Sequence, residues 1–301
     1  MNPISLSNSI RSTLLLFLLV ACGGGNAGQN GMQFQVLATT TIVADIVRQV
    51  GGDFVGITIL MPVGTDPHEY SPRPQDVASI SEADLVFING AGLEESLQPL
   101  LEAGGATDKL VDVSHGLALL SLPGEEGKDP HTWMDPKNVL QWVKNITTAL
   151  VALDPEHAPE YELNAISYAA TLSDLDTWIR SEIELIPREN RLIVSDHAVL
   201  GYFIAEYGFV QLGTITGSFS TEAAPSARDL AVLEDEIRYW GVQAIFISET
   251  SSLTMADQVA GDTAIKVVWL YHASLTDPSG PAGSYLEFMR YNVSEIVEAL
   301  K

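Results

Sequence analysis

The chain has 301 residues, 46% hydrophobic and 18% charged, without the glycine or proline excess of a fibrous protein. That composition excludes a disordered chain and allows one large core or two of ordinary domain size. Against 39 Asp and Glu stand only 15 Lys and Arg, a formal charge of −24; this excludes the basic face of a nucleic-acid binder and creates a field that attracts cations.

The first element in chain order is STLLLFLLVAC, residues 12–22, which follows Arg11 and ends in small residues. It has signal-peptide length and is too short to span a bilayer comfortably. Leu19-Val20-Ala21-Cys22 has the form of a bacterial lipoprotein box, and Cys22 is the only cysteine. The expectation is a signal peptide over 1–21, with Cys22 lipidated as the first mature residue; an ordinary signal peptide with an incidental cysteine is the alternative. Cleavage removes Arg11 and takes the charge to −25. Residues 22–32 are glycine-rich and read as a flexible tether. No later run has the length of a membrane segment, so the expected membrane contact is the lipid anchor alone, with the body outside the membrane.

From Phe34 a βα alternation begins. Residues 34–40 read as a strand, 42–52 as a helix stopped by glycines and 54–63 as a strand leading into Gly-Thr-Asp-Pro-His. A helix follows at 74–83, a strand at 84–90, a helix at 94–105 and a strand at 108–114. The alternation resumes with a strand at 191–196, a helix at 198–208 and a strand at 209–215. Ser226 and Asp229 make a capping box for a helix over 226–241. Strands at 242–248 and 264–270 and an amphipathic helix at 284–300 complete it. Between the halves, residues 156–187 keep helical spacing for about eight turns. The expected fold is α/β, with two lobes, each a mainly parallel sheet flanked by helices, joined by one long helix. The boundaries are 33–155 for the N-terminal lobe, 156–187 for the helix and 188–301 for the C-terminal lobe.

In such sheets, loops after strand C-termini converge on the ligand crevice. His68 and His131 lie in loops of the first half, and His197 follows a strand of the second. The first two share a feature: Asp-Pro-His occurs as Asp66-Pro67-His68 and again as Asp129-Pro130-His131. Proline fixes its own φ and disfavours helix in the residue before it, so both histidines are presented from stiffened loops. A single histidine after a strand is more often a structural, hydrogen-bonded residue, which is the reading for His115 and His157. There is no short metal motif, and one cysteine rules out thiolate fingers. Asp66, Asp129 and Asp196 would either orient an imidazole through its second nitrogen or bond their own backbone as turn residues.

The ordered motifs GTDPHEYSPRPQD, DPHTWMDPKN, RLIVSDHAVLGYFIAEYGF, STEAAPSARDLAVLEDEI, AIFISETS and SYLEFMRYN together resemble the zinc/manganese class of solute-binding lipoproteins that serve ABC transporters, over roughly residues 34 to 301. The resemblance implies metal ligands at His68, His131 and His197. It also implies a fourth ligand, an aspartate within Leu-Tyr-x-Asp-Ser-Leu, but this chain reads LYHASL with Ala273 at that place. Water, His272, Glu249 and Asp277 are the alternatives for the open position. Successive side chains of an extended segment face opposite sides, so His272 would need a local backbone change. Three histidines and water would also suit a catalytic zinc. A hydrolase needs a placed base, for which Asp196 and Glu69 are nominal candidates, and no nucleophile elbow or phosphate loop is present.

The implied function is therefore an extracytoplasmic receptor, not an enzyme, that passes a divalent cation to an ABC permease. Zn(II) is the expected cargo, since nitrogen ligation favours it over Mn(II); manganese is the alternative. A surface adhesin is a second class. The expected partners are the permease and the metal, with no nucleic acid, and the expected state is a monomer.

Overall fold

The computed structural model describes Met1 and residues 34–121, 127–222, 225–248 and 253–301. The predicted signal peptide, the tether with Cys22, and Glu249 lie outside the described residues.

In the first half, β1 (Phe34–Ala38), β2 (Val55–Ile59), β3 (Leu85–Ile88) and β4 (Leu110–Asp112) alternate with α1 (Thr41–Gly51), α2 (Pro74–Glu82) and α3 (Gln98–Ala103). These strands form an all-parallel sheet in the order β2-β1-β3-β4. Next come α4 (Pro136–Leu153) and α5 (Ala158–Ile183). The second half repeats the topology. Its strands β5 (Leu192–Ser195), β6 (Val210–Thr214), β7 (Ala244–Ser248) and β8 (Lys266–Leu270) pair in parallel in the order β6-β5-β7-β8. Its helices are α6 (Gly201–Tyr207), α7 (Ala227–Trp240), α8 (Leu253–Thr263) and α9 (Tyr285–Leu300). The helix-flanked parallel sheets expected from the alternation are the observed architecture.

Local chemistry sets the helix ends. Thr40 and Ser284 cap α1 and α9 by accepting a backbone N–H, and Ser226 forms the predicted capping box with Asp229 at the start of α7. Each such cap is worth about 1 kcal/mol. Asp135 caps α4, and Pro136 occupies its first turn, where no N–H is missed.

One apolar core runs from Val36 in β1 through α1, α4 and α5 to Phe246 in β7 and Phe288 in α9. A second cluster lies against α7 and α8 (Leu233, Ile237, Val259), and a third under α2 and α3 (Ile80, Leu97, Leu101). Each sheet is thus covered on both faces, which is why β7 reads AIFIS with every residue buried.

The elements depart from the sequence reading in four places. The long helix is α5, 26 residues and about 39 Å. It is preceded by a separate 3-10 turn, Pro155–His157, and closed where Arg191 donates to the carbonyls of Ile183 and Ile186. The helix expected over 198–208 begins only at Gly201. Ala198 N–H is taken by Ser218 C=O and Val199 N–H by His197 C=O, so these residues build a loop. Two helices, α4 and α8, are absent from the sequence reading. In α4 the buried Val139, Trp142, Val143, Ile146 and Leu150 nonetheless follow helical spacing.

Candidate metal centre

In a sheet of order 2-1-3-4, the strand order reverses between β1 and β3, and the crevice opens beyond their carboxyl ends. Both halves have this order. His68 follows β2, His131 follows β4, His197 follows β5 and His272 follows β8, so all four lie in loops at strand carboxyl ends.

The structure brings His68, His131 and His197 together, with one ligating atom from each within 4.8 Å of the others. His68 and His131 face each other through Nε2 at 3.1 Å. The ring centroids are 5.3 Å apart for His68 and His131, 5.7 Å for His68 and His197, and 5.2 Å for His131 and His197. His131 and His197 are buried, while His68 is half-buried and lines a cleft of about 230 Å³ with Leu93, Lys128, Pro130 and Phe219.

The adjoining aspartates divide the two roles left open by the sequence. Asp129 Oδ1 accepts from both the backbone N–H of His131 (2.9 Å) and its ring Nδ1 (2.8 Å). Asp196 Oδ1 does the same for His197, at 2.6 and 2.8 Å, while its Oδ2 accepts from Ser248 N at 2.7 Å. A proton on Nδ1 leaves each Nε2 with a lone pair. Asp66 Oδ1 accepts from His68 N at 2.9 Å, as in a turn, and its Oδ2 accepts from Thr221 Oγ1 at 2.9 Å.

Burial is the main influence on these groups. It holds His68 down to about 4, with the like charge of His197 adding to the effect and Asp66 opposing it. Burial also keeps His131 well below the ordinary histidine range, reinforced by His197, His68 and His272. His272 is likewise brought down to about 4 by burial, against the pull of Asp196. These imidazoles are neutral at physiological pH, the form that binds a metal. Asp129 is pushed up to about 7 by burial, against the hydrogen bond from His131 and the charge of His197.

Several supporting residues escaped the sequence reading. Glu94 is wholly buried and collects Thr39 Oγ1 (2.7 Å), Asn89 N (2.7 Å) and Gly90 N (3.0 Å), tying the ends of β1 and β3 together. Burial raises it to about 7 against these bonds. Asn89 Nδ2 donates to Pro130 C=O at 2.9 Å, steadying the loop of His131. Gly90 permits this turn: its φ is 78°, and an added Cβ would lie 1.8 Å from Asp112 Oδ1. Trp133, inside the quoted DPHTWMDP, packs its ring 5.2 Å from His131 and donates Nε1–H to His272 C=O at 2.9 Å. The tryptophan was visible in the motif, but its partner, 139 residues away, was not.

Among the remaining candidates, Asp277 is exposed and belongs to neither metal-capable group among the described residues. Glu69, the nominal base, is exposed as well. His115 is exposed, and His157 bonds Asp154 at 2.7 Å and packs on Phe54, so neither joins the cluster. His272 is fully buried and forms a second metal-capable group with Asp196 and His197.

A family model described as zinc-uptake complex component A, periplasmic, matches residues 36–299. Manganese-binding lipoprotein MntA of Halalkalibacterium halodurans is 31% identical over 293 residues, covering 95% of this chain and 96% of that one. Manganese ABC transporter substrate-binding lipoprotein PsaA of Streptococcus anginosus is 33% identical over 302 residues, covering 95% and 97%. In structure, the periplasmic zinc binding protein TroA from Treponema pallidum matches with a TM-score of 0.83 at 28% identity, over 89% of this chain and 99% of that one.

Proposed function

The chain belongs to the periplasmic zinc-uptake component A family, and on that premise we propose that His68, His131 and His197 hold one divalent cation between the two halves. The protein is the extracytoplasmic, metal-binding lipoprotein receptor of an ABC transporter, a binding protein and not an enzyme. Its partners are the cation and a membrane permease. Cys22 is the anchor in this reading, the receptor acts as a monomer, and its acidic body offers nucleic acid no basic face.

The observation that carries the ligand assignment is the pair of Nε2 atoms 3.1 Å apart, with the second nitrogen of His131 occupied by its own aspartate. Two nitrogens each about 2.0–2.1 Å from one zinc ion stand at nearly this separation. With Asp129 on Nδ1 of His131, the Nε2 of that ring is the acceptor and His68 Nε2–H donates across the gap, a proton that a bound cation replaces.

Zinc is the preferred cargo because the cluster offers imidazole nitrogen, whereas manganese favours oxygen donors. Manganese is the second reading, supported by relatives named for manganese at 31% and 33% identity.

The test is a competition titration of the full chain in detergent, stripped of metal, with zinc and manganese. The expected result is one zinc per chain, held more tightly than manganese and lost in His131→Ala and His197→Ala. Binding of neither metal would sink the assignment. Preference for manganese would leave the ligands standing and reverse the choice of cargo.

A further inference from the structure

His272 is the one buried imidazole among the described residues that has no hydrogen-bond partner at either ring nitrogen. Its exposure is 0%. A neutral imidazole carries one donor and one acceptor, and native interiors seldom leave both unanswered unless an ion or water answers them.

Its surroundings indicate which. Nδ1 lies 3.6 Å from Asp196 Oδ1, the oxygen that orients His197, and the rings of His272 and His197 are 5.8 Å apart between centroids. Asp196, His197 and His272 present ligating atoms within 4.8 Å of one another, the same spread as in the His68, His131 and His197 group, and the two groups share His197. The backbone beneath the ring is fixed. Trp133 Nε1–H holds the carbonyl of His272, while Asn292 takes both the N–H and the C=O of Tyr271. The two residues that follow cannot compete, because the Ala273 side chain has no ligating atom and the Ser274 hydroxyl is engaged with Thr41, Gly64 and Leu275.

We infer that His272 supplies a fourth nitrogen to the cation held by His68, His131 and His197. The inference rests on the receptor reading and deepens it. His272 stands outside the group formed by His68, His131 and His197, so the inference requires its ring to turn, with Nε2 toward the ion and Nδ1 toward Asp196, and one carboxylate would then orient two ligands. Metal binding thereby satisfies both orphan nitrogens. The completed set is four imidazoles with no oxygen donor, which selects zinc and similar borderline cations against manganese. His272 is thus a specificity determinant as well as a ligand.

The experiment follows imidazole ¹⁵N resonances of the full chain, with zinc as the probe. Four of the six histidines should move to metal-bound positions, His272 among them, with His115 and His157 unmoved. Movement of only three, with His272 unchanged, would overturn the inference and leave the receptor reading intact. Absence of zinc binding in the unmutated chain would overturn both. A second measurement uses Co(II), whose visible absorption reports coordination number. His272→Ala should weaken that absorption and lower zinc affinity roughly tenfold or more. An unaltered cobalt spectrum and unaltered zinc affinity in this variant would also overturn it. Should the variant not fold, the ¹⁵N measurement on the native chain decides alone.

Discussion

Asp129 and Asp196 each hold a backbone N–H and a ring nitrogen of a nearby histidine, whereas Asp66 holds the backbone N–H of His68 and the hydroxyl of Thr221. The difference predicts unequal costs. Asp129→Ala should lower zinc affinity by about 10–100-fold, because His131 loses both its tautomer and its orientation. Asp66→Ala should cost less, and equal losses in a competition titration would contradict this division of roles. A second prediction concerns pH in the metal-free protein. His272 sits at about 4, against about 6.5 for an unfolded histidine. As pH falls below the unfolded value, the unfolded chain binds protons that the folded chain refuses. The stability present above 6.5 is therefore lost progressively down to about 4, by on the order of 3 kcal/mol for this residue. Buried Glu94, raised to about 7, has the opposite sign, since acidification favours its protonated folded form. The histidine effect is thus the difference between two chains: His272→Ala should lose less stability than its parent across the window, as read from urea midpoints. Parallel curves would refute it.

At the scale of elements, the start of α6 shows how closely the fold is built around one carboxylate. Gly201 is its first residue, and a Cβ there would lie 2.4 Å from Asp129 Oδ2. Asp129 is 1% exposed and this oxygen already lacks a hydrogen-bond partner, so the carboxylate has little room to retreat. Alanine is the better helix former by roughly 1 kcal/mol, but overpacking costs about 1–3 kcal/mol. Gly201→Ala should therefore lower the denaturation midpoint and, by displacing Asp129 from His131, weaken zinc binding. A midpoint at or above that of the parent would show that the carboxylate gives way freely. α6 starts late for a separate reason: the N–H groups of Ala198 and Val199 are bound by the carbonyls of Ser218 and His197, in the loop that presents His197.

At the scale of the molecule, a single apolar core reaches from β1 through α5 to α9, and α4 and α6 are tied to α5 by the exposed contacts of Glu206 with Lys137 and Arg180. Exposed ion pairs contribute little individually; the continuous core is what resists a hinge. Metal-free and zinc-loaded crystal structures should accordingly differ by loop movements and a small rocking of one sheet against the other. A wide rotation between them would contradict this. Residues 34–301 should also unfold in one transition, since no apolar boundary separates the halves.

The sequence by itself determined the class of fold and the family. Parallel βαβ order follows from strand and helix periods, which are local, and the family follows from motifs that keep their order along the chain. Three histidines were legible because proline stiffening and strand-end placement are local signals too. Tertiary structure decided what depends on distance between remote segments. Whether an aspartate meets a ring as well as a backbone N–H turns on loop geometry, and the burial of Glu94 requires β1 and β3 to lie side by side. His272 meets His197 only because the turns after β5 and β8, 75 residues apart in sequence, emerge at the same edge of one sheet. Alternation of side chains along a strand argued against that histidine, and the rule lapses where the strand has ended at Leu270 and the chain bends.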